Sequence, residues 1–266
     1  MIRTSIIRFL NKFFPKILIY IRTKKSLHNG EFGLRIIPFF CNKKNISVDI
    51  GSNLGTYAYE MSNYSKFCYA FEPNPFLAKI LERSLSDNVK IFQVALSNKK
   101  GNATLKIPIS NNIEEHGLAS IEDDNTLNNR SIKEYIVKKN ELDNYQLEKV
   151  DFIKIDVEGH ELSVLEGCKK LINKYRPVFL VEIEERHKSN NIEKVNQYFK
   201  KFMYQGFYNF KGKIYNIDNF EKNKFQNIDN INASSRLKDR VYVNNFIFTG
   251  TSEATERLLE LNQYFS

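Results

Sequence analysis

Three short stretches hold the residues whose types and spacing could do chemistry. In VDIGSNLGTYAYE, residues 48–60, Asp49, Gly51 and Gly55 form a DxGxxxG turn that also carries Ser52, Asn53 and Thr56. Glycine turns that follow an apolar strand usually receive something anionic or nucleotide-like. In FEPNP, residues 71–75, Glu72 lies 23 positions after Asp49 and precedes Pro73 and Asn74. A carboxylate at that distance can accept hydrogen bonds from both hydroxyls of a ribose. The third stretch, DFIKIDVEGHELSVLEG (151–167), brings Lys154, Asp156, Glu158, His160 and Glu161 together, and FLVEIEE adds Glu182 and Glu184.

The turn is selective about its ligand. A dinucleotide fingerprint reads GxGxxG, whereas here a polar residue stands at its second glycine, so close approach of a pyrophosphate is disfavoured. No lysine follows as in a phosphate-cradling P-loop. S-adenosylmethionine carries no phosphate, and it needs a glycine turn for its methionyl part and an acceptor for its ammonium group. Asp49 at the strand end supplies that acceptor. Glu72 alone does not choose between this ligand and NAD, since both present a ribose. The competing reading of the glycines is a plain tight strand–helix turn.

Lys154 and Asp156 share one face of their strand, with Asp156 at its carboxyl end, where open α/β sheets place ligands. Gly159 permits the turn that follows. Glu158 and Glu161 stand at the start of the next helix, where the dipole favours anions with or without a ligand. Lys154 sits in a strand expected to be buried, and a buried ammonium requires a carboxylate. Glu182 on the neighbouring strand is the expected partner, with a structural role preferred.

These residues need elements to position them. NISVDIG, KFCYAFEPNP, NVKIFQVALSN, VDFIKIDV and PVFLVEI read as strands. TYAYEMSNYS, PFLAKILERSLSDN, ELSVLEGCKKLINKY and IEKVNQYFKKFMYQ between them read as helices. The alternation predicts an α/β fold with a doubly wound, parallel sheet. Residues 101–148 interrupt it with NATLKIPIS and SIKEYIVKKNELDNY as extra strands around a long polar loop, a pattern that often marks a lid. GFYNFKGKIYNI and RVYVNNFIFTG read as a final hairpin over 206–250, with a polar insertion at 216–240.

Taken in this order, residues 48–60, 71–75 and 151–167 resemble the FkbM methyltransferase family over about residues 46–185. The resemblance implies a class I, Rossmann-like sheet of seven mostly parallel strands whose last hairpin is reversed. It implies S-adenosylmethionine as methyl donor and a hydroxyl as acceptor, of a sugar in a glycan or glycolipid or of another natural product. Gly117 and Ser120 in EEHGLAS resemble a glycine–serine pair of the family near cofactor or acceptor; the alternative is an exposed loop. Ala95, Leu96 and Ser97 fall where this fold places adenine. For the chemistry, His160 is the candidate neutral base, with a surface histidine as its bland alternative. The other route is Mg2+ held by Asp156 and Glu184 with Glu182. A base-methylating nucleic-acid enzyme would carry [DN]PP[YF] where this chain has DVEG. A non-catalytic binding module would have lost its acidic cluster, which is intact.

Composition bounds the rest. The chain has 266 residues, 42% of them hydrophobic, enough for one large α/β domain with appendages. Cys41, Cys68 and Cys168 form no CxxC pair, which suits a reducing cytoplasm and argues against zinc. Seven of the net nine positive charges lie in residues 1–25, which contain no acid, leaving about +2 for the remainder. That distribution points away from a broad nucleic-acid-binding face. The segment 1–40 therefore reads as a basic amphipathic helix preceding a methyltransferase domain over 41–266. Residues 1–25 could pack on the domain, pack on a second copy, or rest on an anionic membrane at its cytoplasmic side.

Overall fold

The computed structural model describes residues 13–110, 113–122, 131–227 and 242–265. Its centre is an eight-stranded sheet. Strands β1 (Ile46–Ile50), β2 (Phe67–Phe71) and β3 (Val89–Phe92) run outward to one edge, and β8 (Val150–Ile155) and β9 (Val178–Glu182) run the other way from β1. These five are parallel. Beyond β9 lie β12 (Asn245–Thr249), β10 (Gln205–Phe210) and β11 (Lys213–Asn216), joined by antiparallel pairs. The strand order thus reverses between β1 and β8, the position at which such sheets open a crevice beyond their carboxyl ends.

Eight strands stand where seven were expected. GFYNFKGKIYNI is two strands, not one: Lys211 and Gly212 both adopt positive φ and close a tight β10–β11 hairpin. The expected third strand likewise divides, its second half forming β4 (Ala95–Leu96) in a separate four-stranded sheet. That sheet also contains β5 (Gly101–Ser110), β6 (Ile113–Glu114) and β7 (Ser131–Asn140), with a small core of Ala95, Leu105, Ile107 and Val137.

Helices cover both faces of the large sheet. On one face lie α1 (Pro15–His28), α2 (Phe32–Phe40), α3 (Thr56–Tyr64) and α4 (Pro75–Ser84), packed through Ile19, Leu34, Ile37, Met61 and Leu81. The helical run breaks at Phe14, and Pro15 begins α1. The other face buries Val164 and Leu165 of α5 (Glu161–Glu166) and Leu171 and Ile172 of α6 (Lys169–Tyr175). It also takes Val195 and Phe199 of α7 (Asn191–Lys200). With both faces covered, β8 and β9 are buried almost throughout, as parallel central strands are.

The single helix read over 161–175 is two. A side chain at Gly167 would place its Cβ 2.0 Å from the Ser97 carbonyl oxygen, so the helix gives way where the second sheet's connection presses against it. After β12 the chain ends in α9 (Ser252–Glu260) and α10 (Asn262–Phe265), which follow a one-turn α8 (Lys222–Phe225). Arg257 of α9 donates to the Phe39 carbonyl of α2. Among the described residues no helix is long and apolar enough to cross a membrane.

Candidate active site

The register of β1 against β8 sets Asp49 beside Lys154, and the backbone N–H of Asp156 donates to the Ile50 carbonyl at 2.9 Å. The chain then leaves β1 through Gly51 at φ +79°. A Cβ there would lie 1.7 Å from the Asp156 carbonyl oxygen, so the two strand ends meet only because residue 51 is glycine. Gly51 and Ser52 donate backbone N–H groups to the Phe71 carbonyl, and the Ser52 hydroxyl donates to that of Asp49.

Two adjoining clefts open beyond these strand ends and share Gly51, Asn53 and Asp156. Glu72, Pro73, Ala95 and Leu96 line the first, with Gly117 and Ser120 above them and Glu158 and His160 at one side. Glu72 is buried, and each of its carboxylate oxygens accepts one backbone N–H, from Asn53 at 2.7 Å and Asn74 at 2.9 Å. Burial holds its pKa up to about 7, against the pull of those two donors. Each oxygen keeps a further lone pair for a ligand hydroxyl. Asn74 does not reach the cleft wall: its side chain caps α4 at Phe76 N–H and meets His116 Nδ1 at 3.0 Å. Gly55 is equally indirect, forming the left-handed entry to α3.

Asp49, Ser52, Thr56, Lys154 and Glu182 line the second cleft. Sequence reasoning missed the polar walls Ser26, Glu31, Tyr57, Asn244 and Asn245, and the apolar Leu34 and Leu54. The paired asparagines at the start of an otherwise apolar strand were the available signal. Lys154 is 1% exposed and its Nζ lies 3.4 Å from Glu182 and 4.0 Å from Asp156, over the ring of Tyr57. Burial pulls the lysine's pKa down, but Asp156, Glu182, Asp49 and Glu31 outweigh it and hold the group above its ordinary value. Burial raises the pKa of both Asp156 and Glu182, with Lys154 opposing; Glu158, Glu161 and Asp49 add to the rise at Asp156, and Asp156 adds to it at Glu182. Both carboxylates still reach solvent (31% and 23% exposed), so filling the cleft would strengthen the effect. Asp49 is buried, burial lifts it to about 6, and its Oδ2 has no hydrogen-bond partner among the described residues.

Three candidates from the sequence stand elsewhere. His160 faces the first cleft, with Nδ1 against Glu122 and Nε2 2.9 Å from the Ser97 hydroxyl, which lies behind the wall. Glu161 is buried beneath the turn, accepting from Gly159 N–H and Asn191. Glu184 is held by Arg186, by the Tyr242 hydroxyl at 2.7 Å and by Asn244. Burial would raise its pKa, but these partners draw it below the usual range. The Asp156–Glu182–Glu184 set consequently does not fit Mg2+. Two members already flank an ammonium, and the third faces a guanidinium. The one group of possible metal ligands among the described residues is Glu158, Glu184 and His187, whose Glu184 is the residue that Arg186 neutralises.

A doubly wound sheet with an acidic, glycine-gated crevice at its reversal point is a Rossmann-like α/β architecture. The model of the methyltransferase FkbM domain matches residues 49–206. The chain belongs to the FkbM methyltransferase family. It is 27% identical over 164 residues to the hexuronic acid methyltransferase AglP of Haloferax volcanii, a match spanning 60% of this chain and 64% of that protein. Among solved structures, it resembles the methyltransferase FkbM of Methylobacillus flagellatus KT (13% identity, TM-score 0.49, 78% of this chain and 44% of that one). It also resembles an rRNA methylase of Streptococcus thermophilus (12% identity, TM-score 0.42, 81% and 91%).

Proposed function

We propose that the chain transfers a methyl group from S-adenosylmethionine to a hydroxyl oxygen of a sugar in a glycan or glycolipid. The observation that carries this reading is the Asp156–Lys154–Glu182 group in a cleft that adjoins, across Gly51, the one lined by Glu72. The unpartnered Oδ2 of Asp49 suits the methionyl ammonium, and Glu72 suits the ribose hydroxyls. Ala95 and Leu96 then bound the adenine, with Ser97 and His160 behind it.

When bound, the sulfonium supplies an electrophilic methyl carbon. The chain's own task is to align the acceptor oxygen and take its proton. Glu182 faces the second cleft with a raised pKa, which makes it a stronger base than an ordinary carboxylate. We assign it the base role in preference to His160, both of whose ring nitrogens are engaged at the other cleft. Glu182 would take the hydroxyl proton as the acceptor oxygen gained the methyl group in place of the sulfur, which balances the transfer. Lys154 stays between Glu182 and Asp156 and limits their repulsion.

The similarity to AglP brings a hexuronic acid into view as acceptor. Among the described lining residues Glu31, Asp49, Asp156 and Glu182 stand against Lys154, so an uncharged acceptor fits better than a uronate, and a phosphate backbone fits worse. The test is methyl transfer to neutral and uronate-bearing glycans. E182Q should lower kcat by roughly 100-fold or more while S-adenosylhomocysteine affinity is kept, and excess chelator should leave the rate unchanged. Near-full kcat in E182Q together with loss in H160A would move the base to His160. Preference for the uronate would overturn the acceptor assignment.

A further inference from the structure

Helix α1 has two apolar faces, and the fold uses one. Leu18, Ile19 and Thr23 are buried on the domain side. On the opposite side Ile17, Tyr20 and Ile21 are 53%, 48% and 49% exposed. At helical spacing Ile17, Tyr20 and Ile21 are neighbours. Lys16, Lys24 and Lys25 are exposed around them, and residues 13–28 contain no acid.

We propose that this face docks on an anionic lipid bilayer and so sets the acceptor cleft beside the membrane surface. Apolar side chains ringed by lysines are the composition of helices that lie in the interface of anionic membranes. Charge decides between this occupant and a second copy of the chain. A twofold pairing of α1 would bring two sets of lysines together with no acid on either helix to neutralise them. Position supports it too: Ser26 in the last turn of α1 and Glu31 just beyond it line the second cleft. Ser26 lies on the face of α1 opposite Ile17, Tyr20 and Ile21, so a docked α1 would hold that cleft one helix diameter, roughly 10 Å, from the bilayer. The inference extends the proposed function but does not need it, because docking is a property of the helix.

The test uses the full chain in co-sedimentation with vesicles of phosphatidylcholine alone or mixed with phosphatidylglycerol. The chain should sediment with the mixed vesicles, release as salt is raised, and bind the neutral ones roughly tenfold or more weakly. The triple variant Ile17→Ser, Tyr20→Ser, Ile21→Ser and the triple variant Lys16→Gln, Lys24→Gln, Lys25→Gln should each lose roughly tenfold in binding. Both should retain S-adenosylhomocysteine affinity, which shows an intact domain and separates this proposal from the catalytic one. No binding to mixed vesicles, equal binding to both kinds, or unchanged binding by both variants would overturn it. So would a dimer in light scattering that the serine variant dissociates.

Discussion

Glu72 meets two demands that pull in opposite directions with pH. Ribose recognition needs the ionised carboxylate, yet burial raises its pKa to about 7. Its protonated form therefore favours the fold. That contribution is complete below the unfolded value of about 4.3 and is lost as pH rises through about 7. Comparing wild type with Glu72→Gln isolates it: wild type should lose up to about 3 kcal/mol relative to the variant between about pH 4 and pH 8. S-adenosylhomocysteine affinity should move the other way, falling up to about tenfold per unit below about pH 7 in wild type and staying flat in the variant. Denaturant titration and calorimetry at each pH measure the two limbs; parallel limbs would show that Glu72 is not the ribose acceptor. Residues fixed by strand register were legible in the sequence. Asp49, Gly51, Glu72, Asp156 and the Lys154–Glu182 contact all follow from where a strand ends and which face a side chain takes. His160 and Glu184 lie past strand ends, where partners distant in sequence (Glu122 and Ser97 for His160, Tyr242 for Glu184, which the nearby Arg186 also holds) decide which way the side chain turns.

The connection from β5 to β7 acts on the site as a roof. Residues 116–121 cover the first cleft, and side chains of 116–122 tie them down. The His116 ring stacks on Phe76 with centroids 5.6 Å apart, and the Ser120 hydroxyl donates to the Glu158 carbonyl at 2.8 Å. Glu122 joins His160 to Lys188, whose Nζ lies 3.1 Å away. Burial would raise the pKa of Glu122, but these two partners hold it below its usual value. Glu122→Ala removes both ties at the open end of the roof. Losing a charge-assisted bond of about 1.5 kcal/mol should speed S-adenosylhomocysteine release roughly tenfold with little change in association rate. Stopped-flow displacement reads this directly, and an unaltered release rate would mean that the roof does not retain the ligand. A long loop between strands announced such an element, whereas its anchors depend on contacts made across the fold. The same limit explains the misread elements. In GFYNFKGKIYNI the apolar pattern resumes on both sides of Lys211-Gly212-Lys213, and a reading as one strand passes over the turn that this glycine marks. Helical periodicity likewise runs through Gly167 and hides its contact with Ser97.

At the scale of the whole molecule, the N-terminal helices serve the core and the site together. Composition suggested a basic segment preceding a domain that starts near residue 41, and charge does separate the two. Burial does not. Leu18, Ile19, Leu34, Ile36, Ile37 and Phe40 are all buried, and most pack in one cluster with Ala58, Met61, Leu81 and Leu258 from the rest of the chain. Glu31 also accepts the Tyr57 hydroxyl at 2.9 Å, so α3 and the second cleft depend on the same segment. Each of six buried apolar side chains contributes about 1.5–3 kcal/mol. Even after discount for a compact unfolded state, their sum is comparable with the net stability of about 5–15 kcal/mol for a whole domain. A chain starting at residue 41 is therefore expected to lack a cooperative thermal transition and to bind no S-adenosylhomocysteine. One starting at residue 13 should melt as a single unit and bind normally. Calorimetric scans of the two truncations decide the matter: if the shorter chain melts cooperatively with cofactor affinity intact, α1 and α2 are an appendage to the catalytic fold and not part of its core.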